Sequence, residues 1–454
     1  MMKLLALPPE LLEQVLSHAL PLEDPLTLPR ALSLCLVHPR LTPLVRAFVW
    51  RSLTLRDAAQ IDQVLASPHL EACAHCIRSL RFVPPREDGG IASQVGRLGT
   101  AETVDGPAVT RLLLRLKELW SAQSAEDLGL TGGIIFLDIA SVDSLRPEVL
   151  EGNWLSDVRA LVLGPGFVLP TSRTLPLAFS FRLESLTLRN THWQYLPPEL
   201  LSAFLRAGLP QRRADGWHAG LKHLDLSGTY DVAGFDPFLQ PSNSAFLKEN
   251  DFGYLDGANV LETVESLLLP PFETAAHRHF GLAALSRCSP AMSTPPPSPL
   301  MGTEVPSTRK QHLRYLELPP LSSATSGTYD TLWAALEALL RGPSTTVLGS
   351  VTREDINGGG GLVEVGLRGW PTTALVETAQ AVLAAAGLDS PPAPDGAHPP
   401  PRRGGVALKR LRFVRLLVPE ELGKLPGGRG AELLYAAERS GIEIVCGPKE
   451  IVLP

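Results

Sequence analysis

The most chemically suggestive residues of the chain are two cysteines, Cys73 and Cys76, which are separated by Ala74 and His75. This spacing is typical of one half of a structural zinc site or of a redox-active thiol pair. A structural zinc site needs four ligands, and no second pair stands at a matching distance in the sequence. We therefore interpret the two cysteines as small residues at the end of a helix that precedes a strand.

The other motifs that could carry chemistry are incomplete. His277 and His279 lack nearby carboxylates, so they indicate a solvated helical turn rather than a metal site. The glycine run at 358–361 is not followed by the Lys-Ser/Thr pair of a phosphate-binding loop. Ser227 and Gly228 lack the upstream glycine of a nucleophile elbow. The sequence therefore predicts a binding protein and not an enzyme, with no catalytic residue, no cofactor and no metal.

Composition narrows the classes of partner. The 454 residues are 44% hydrophobic and 19% charged, and the net charge of −6 argues against general nucleic-acid binding. Five cysteines, an odd number in so long a chain, indicate a reducing compartment. No secretory signal or membrane-length apolar run is visible, so we expect a cytoplasmic or nuclear protein that does not bind membranes.

One phrase, apolar-x-x-apolar-x-apolar, recurs along the chain. It occurs at 50–55, 77–82, 134–139, 158–163, 183–188, 221–226, 264–269, 313–318, 362–367 and 408–413. The copy at 183–188 extends to Asn190 and then matches the strand pattern of a leucine-rich repeat. Helical periodicity predicts helices between the phrases, at 109–120, 198–207, 331–341, 373–386 and 431–440. Short parallel strands alternating with helices indicate an α/β solenoid.

The spacing of the phrases is irregular. The distances between their middle residues are 27, 57, 24, 25, 38, 43, 49, 49 and 46 residues, whereas a leucine-rich repeat takes about 20–29. We interpret the array as an irregular, degenerate leucine-rich-repeat-like solenoid with disordered insertions near 84–107, 289–309 and 389–405. The stretch 211–220 also has loop composition. An unrelated α/β domain with short buried strands remains the alternative.

The apolar pattern and the prolines of the first fifty-five residues predict three short helices. Pro8 and Pro9 stand where a helix can begin, and an apolar stripe follows between 11 and 19. A second helix lies around 32–36, and a third begins near Leu41 and runs to Trp50. Three helices this apolar cannot all bury their stripes in a unit of about 50 residues, so the remaining leucines indicate a partner.

The order Leu-Pro-x-Glu-Leu-Leu-x-x-Val-Leu at 7–16, with Val49-Trp50-Arg51-Ser52-Leu53 at the end of the third helix, resembles the F-box. In that family the motif docks on the adaptor subunit of SCF ubiquitin ligases, and the rest of the chain captures a protein for ubiquitin-dependent degradation. The resemblance implies an F-box at 1–56, a solenoid at 57–454, and the adaptor, the cullin scaffold and a protein substrate as partners. The adaptor-binding residues that it implies are Leu7, Pro8, Leu11, Leu12, Val15, Leu16, Leu32, Leu34, Val37 and Leu41.

If the phrases are solenoid strands, the residues between the core leucines point to the concave face, where a substrate would bind. The candidates are Arg81, Thr187, Arg189, His223, Asp225, Tyr315, Glu317, Arg410 and Arg412, with Glu364 and Arg368 beside them. Two other functions remain open: an interaction or scaffold protein that uses its helical cap for assembly without ubiquitin transfer, and, more distantly, an α/β enzyme.

Overall fold

The structure is a computed structural model. It describes residues 8, 11, 12, 14, 15, 33, 34, 41–84, 103–123, 133–164, 166–168, 179–189, 198–213, 216–229, 253–254, 260–272, 275–288, 313–319, 334–337, 339–340, 362–369, 372–386, 408–416, 418–424 and 428–449, although side chains in some helices and strands are excluded. The chain divides into two compact units, Met1–Leu183 and Glu184–Leu453. Each unit combines helices with a parallel sheet, so the predicted mixed α/β class with a large parallel sheet is confirmed.

Among its described residues, the first unit has four α-helices with defined bounds and six strands. The helices are Leu41–Arg51 (α1), Ala58–Leu65 (α2), Leu70–Cys73 (α3) and Gly106–Gln123 (α4). The strands are Ser52–Leu55 (β1), Ser79–Phe82 (β2), Val104–Asp105 (β3), Phe136–Asp138 (β4), Val142–Asp143 (β5) and Ala160–Leu163 (β6). Strands β1, β2, β4 and β6 pair side by side in parallel, and β3 pairs with β5.

Helix α4 is the longest of the described helices of the first unit, with 18 residues. An Asp105 carboxylate oxygen accepts a hydrogen bond from the Ala108 amide at 3.0 Å and so caps the start of the helix. Gly106 fits because a Cβ atom there would stand 1.8 Å from the Asp143 carbonyl oxygen. Leu112 and Leu116 are fully buried. Local capping and an apolar face thus fix this helix in place.

In the described part of the second unit, there are ten strands and five α-helices with defined bounds. The strands are Ser185–Leu188 (β7), Gln211–Arg213 (β8), Gly216–His218 (β9), His223–Asp225 (β10), Gly253–Tyr254 (β11), Ser266–Leu268 (β12), Tyr315–Leu318 (β13), Glu364–Leu367 (β14), Arg410–Phe413 (β15) and Glu443–Cys446 (β16). The helices are Pro198–Ala207 (α5), Ala275–Cys288 (α6), Thr373–Ala385 (α7), Glu420–Gly423 (α8) and Arg429–Arg439 (α9). Residues 334–337 and 339–340 are also helical.

Seven strands of the second unit form one parallel array, in the order β7, β10, β12, β13, β14, β15, β16. Their register aligns one apolar position on every strand, so that Leu186, Leu224, Leu267, Leu316, Val365 and Leu411 follow one another across the array. All six side chains are fully buried. Because side chains alternate between the faces of a strand, this row places the intervening residues on the other face.

Each of the ten predicted phrases contains a strand, four of them in the first unit and six in the second. The helices predicted at 109–120, 198–207, 373–386 and 431–440 also form, with ends shifted by at most three residues. The loop predicted at 211–220 is wrong, because β8 and β9 form an antiparallel hairpin there that also pairs with β11. The final strand β16 was not predicted.

Most of the predicted insertions lie outside the described residues. The insertion predicted at 84–107 is wrong at its end, because β3 and the start of α4 occupy residues 104–107. The stretches 289–309 and 389–405 are not described. In the N-terminal region, residues 11, 12, 14, 15, 33 and 34 are helical and α1 coincides with the third predicted helix. Among the described helices, none combines the length and the apolar character that crossing a membrane requires.

Candidate functional site

The second unit presents two rows of mainly polar residues on the sheet face opposite the leucine row, which we call the polar face. The first row is Ser185, His223, Ser266, Tyr315, Glu364, Arg410 and Glu443. The second row is Thr187, Asp225, Leu268, Glu317, Gly366, Arg412 and Val445. Neighbouring strands stand about 4.8 Å apart, so successive members of a row are in reach of one another.

The centre of the polar face is a buried network around Glu317. The Tyr315 hydroxyl donates a hydrogen bond to one Glu317 oxygen at 2.9 Å, and Arg368 Nε stands 3.0 Å from the other. The Arg368 side chain also donates to the backbone carbonyls of Ser227 and Leu269. Burial raises the pKa of Glu317, and the charge of Arg368 opposes this shift. The network therefore holds a buried carboxylate in an ion pair.

Gly366 makes room for this network. A Cβ atom at position 366 would stand 2.3 Å from the Tyr315 hydroxyl oxygen and 3.2 Å from the Glu317 Cγ atom. Any side chain at this point of β14 would therefore push Tyr315 out of its place. The glycine is required by a close approach and not by its backbone conformation.

A second ion pair joins β14 to β15. Arg412 Nε stands 2.5 Å from a Glu364 carboxylate oxygen, and both side chains are largely buried. Arg412 Nη1 also donates to the carbonyl oxygens of Gly447 and Pro448, at 3.1 and 3.2 Å. Arg412 thus ties the residues that follow the last strand to the polar face.

Residues 447–449, which we call the C-terminal segment, turn back over the polar face. Gly447 has a φ of +92°, a conformation that favours glycine. The Lys449 ammonium then stands 3.9 Å from the centre of the Tyr315 ring. Burial lowers the pKa of Lys449, while the charge of Glu364 opposes that shift. The ring face partly replaces the water that the ammonium loses, since cations are attracted to aromatic faces.

Two polar side chains of the first row have buried atoms without a hydrogen-bond partner. Ser266 Oγ and His223 Nδ1 make no hydrogen bond with any residue that the structure describes. Burial lowers the pKa of His223, with the charges of Lys449 and Lys222 adding to this shift and Glu265 opposing it. Burial therefore favours the neutral form of the imidazole.

The predicted substrate-binding residues are not equally accessible. Arg189 and Arg410 are exposed, and Thr187, His223, Asp225 and Arg412 are half-buried. Tyr315 and Glu317 are buried and already engaged with each other. Arg81 belongs to the first unit, where it is exposed and its guanidinium lies 4.6 Å from the centre of the Phe136 ring. Their role in substrate binding remains a prediction.

The predicted adaptor-binding residues also differ in their exposure to solvent. Leu11 and Val15 are 45% and 39% exposed, and Pro8 is exposed. Leu12 is buried, and Leu41 belongs to the core of α1, against which Leu34 packs. These two buried side chains pack within the chain. Leu7, Leu16, Leu32 and Val37 lie outside the described residues.

Sequence reasoning did not single out Ser266 or Lys449. Ser266 stands directly before Leu267, the position that Ser185 holds before Leu186, so strict alternation along every phrase could have found it. Lys449 lies beyond the last predicted helix, and no local pattern in the sequence links it to Tyr315.

The cysteine motif adjoins the first unit's sheet. Cys73 ends α3 and is buried, and Cys76 Sγ stands 3.3 Å from His75 Nε2. Burial raises the pKa of Cys73. Within the described parts of the chain, no group of three or more His, Cys, Asp or Glu side chains is arranged to hold a metal ion.

Comparison of the sequence with protein-family models and with curated proteins found no match. Functional assignment therefore depends on the residues and their geometry.

Proposed function

We propose that the protein is the substrate-recognition subunit of an SCF-type ubiquitin ligase, with an F-box-like N-terminal module and a leucine-rich-repeat-like solenoid. The N-terminal module would dock on the adaptor, and the solenoid would bind a protein substrate. The chain itself would carry out no chemistry, because ubiquitin transfer belongs to other subunits of such assemblies. The proposal includes a cytoplasmic or nuclear location of the protein.

The observation that carries the proposal is the exposure of Leu11 and Val15. These two apolar side chains are four residues apart in a helical stretch, so they lie on one face of it. Leu12 beside them is buried, and Val45 and Phe48 of α1 are buried as well. An apolar helix face left in water is typical of a docking surface.

A second observation supports the binding role of the remaining chain. Strands of one phrase type lie in parallel and in register, and their polar side chains occupy one face. Repeated strands of this kind provide extended surfaces for binding proteins. The exposed and half-buried residues of the polar face, such as Arg410 and Asp225, would contact the substrate.

Mutation of the exposed apolar pair tests the proposal. Leu11→Asp with Val15→Asp is expected to abolish binding to the purified adaptor subunit in a titration, since truncation of one anchoring side chain already costs about 1 kcal/mol or more. Circular dichroism should show unchanged helix content, because both side chains are exposed.

Leu114→Asp provides the matched control. Leu114 is an exposed leucine on helix α4, and its exposed fraction of 44% equals that of Leu11 within one percentage point. This variant should bind the adaptor as the unmodified chain does. Adaptor binding that survives in the Leu11/Val15 variant, or that is lost equally in the Leu114 variant, would contradict the proposal.

A further inference from the structure

The C-terminal segment lies on the face that the proposed function assigns to the substrate. Up to Gly447 the chain still follows the sheet, because the Gly447 amide donates a hydrogen bond to the Phe413 carbonyl oxygen at 3.0 Å. The backbone turns at Gly447, and Lys449 then reaches back over Tyr315 of β13, although β14 and β15 lie between β13 and β16. Pro448 and Lys449 therefore cover part of the polar face without belonging to a strand.

The position that the Lys449 ammonium occupies has the chemistry of a cation site. The ammonium stands 3.9 Å from the centre of the Tyr315 ring, and the face of an aromatic ring attracts a cation. Burial lowers the pKa of Lys449, and the charges of Glu364 and Glu265 oppose that shift. An aromatic face and the field of two carboxylates thus act on one ammonium.

Two arginines repel a cation at this position, but each of them has a carboxylate partner of its own. Arg412 Nε stands 2.5 Å from a Glu364 oxygen, and Arg410 Nε stands 2.8 Å from a Glu443 oxygen. None of the ion pairs among the described residues involves Glu265. The Glu265 charge is therefore free to favour a cation on the ring.

Main-chain oxygens attach the C-terminal segment to Arg412. Arg412 Nη1 donates to the carbonyl oxygens of Gly447 and Pro448 at 3.1 and 3.2 Å. Any extended chain can supply such acceptors, since they belong to the backbone. Pro448 is exposed and has no amide hydrogen to donate in return. The polar face thus recognises two features of the segment: carbonyl oxygens at Arg412 and a cation at Tyr315.

We propose that the C-terminal segment is an internal ligand of the polar face, and that the face binds an extended, basic segment of a partner protein in its place. A lysine or arginine of the partner takes the position of Lys449 on the Tyr315 ring, and carbonyl oxygens of the partner accept the hydrogen bonds of Arg412. A tethered ligand competes at an effective concentration of about millimolar, so the C-terminal segment lowers the affinity for the partner. This inference rests on the proposed function, because it names the class of substrate segment that the solenoid binds.

Fluorescence anisotropy with a labelled peptide tests the site. The probe has the sequence of residues 447–453, Gly-Pro-Lys-Glu-Ile-Val-Leu, and it is titrated with the full chain and with its Lys449→Ala variant. Removal of the internal cation favours displacement of the C-terminal segment. The variant should therefore bind the probe about threefold to tenfold more tightly than the unmodified chain does, the factor that corresponds to one cation–aromatic contact. A second probe, in which norleucine replaces the lysine, should bind each chain more weakly by about the same factor.

Lys424→Ala is the matched control, because Lys424 is an exposed lysine of the same unit. It should bind the probe as the unmodified chain does. Equal affinities of the Lys449→Ala and Lys424→Ala variants would overturn the proposal, as would equal affinities of the lysine and norleucine probes or binding of neither. The comparison of the two probes on the unmodified chain needs no substitution in the protein. The titration contains no adaptor subunit, so its failure would leave the proposed docking of the N-terminal module standing.

Discussion

Replacing Glu317 by glutamine tests whether the Glu317–Arg368 ion pair at the centre of the polar face is buried. The change removes one negative charge and keeps the size of the side chain. Arg368, whose side chain is 15% exposed, would then be left as a buried cation without its carboxylate. Loss of one partner from a buried ion pair costs about 3–5 kcal/mol. The hydrogen bonds from Arg368 to Ser227 and Leu269 remain, so we expect about 3 kcal/mol.

The ion pair between Arg410 and Glu443 provides the comparison. It has the same chemistry and a similar distance, 2.8 Å, but its side chains are 51% and 63% exposed. Water screens such a pair, and exposed ion pairs contribute about 0–1 kcal/mol. Glu443→Gln should therefore change the free energy of unfolding much less than Glu317→Gln.

Urea denaturation of the two variants measures the difference, with the slope of the transition monitored in each. The double variant Glu317→Gln with Arg368→Met should recover a large part of the lost stability, because the uncompensated charge is gone. If Glu317→Gln and Glu443→Gln were equally mild, the Glu317 carboxylate would be in contact with water, and the reasoning about the polar face would be wrong.

Three further predictions follow from burial. The ordinary pKa of histidine is 6.5, and burial lowers the pKa of His223 in the folded state. The folded chain therefore binds fewer protons than the unfolded chain, and its stability should fall as the pH drops below about 6.5. In denaturation measured at several pH values, His223→Gln should lose less stability on acidification than the unmodified chain. Leu224→Ala should lower the free energy of unfolding by about 2–5 kcal/mol, because the side chain is fully buried. Leu268 is half-buried on the polar face, so Leu268→Ala should lower it clearly less. Equal losses in chemical denaturation would contradict the alternation of buried and polar-face residues along the strands. Burial and the nearby Glu262 carboxylate raise the pKa of Cys288 to about 12, so its thiol should resist iodoacetamide in the native state and react only after unfolding, as mass spectrometry can show.

The strands could be predicted from the sequence because each core position is an apolar residue at fixed spacing. The same rule explains why β16 was missed. Its Ile444 and Cys446 align with Leu411 and Phe413, but the first apolar position of the phrase is taken by Gly441. This glycine, which follows the C-cap residue Ser440 of α9, has a φ of +66°, so it serves the end of the helix instead of the strand pattern.

The hairpin at 211–218 could not be predicted, since its strands Gln211–Arg213 and Gly216–His218 lack the alternation of apolar and polar residues. They are held by backbone hydrogen bonds, which leave no signature in the side chains.

The candidate site was predicted in part. The alternation placed Tyr315, Glu317 and Arg412 on one face, but it could not show that two of them are buried. Their burial depends on Arg368 and Lys449, which are distant in sequence, and only the folded chain brings them together.

Affinity purification of the full chain from cells, with identification of the co-purifying subunits, tests the proposed function most directly. The proposal predicts that the SCF adaptor and the cullin scaffold co-purify in comparable amounts with the unmodified chain and with Leu114→Asp. It predicts that both are lost when Leu11 and Val15 are replaced by aspartate. Absence of the adaptor and cullin from the unmodified chain's complexes would contradict it.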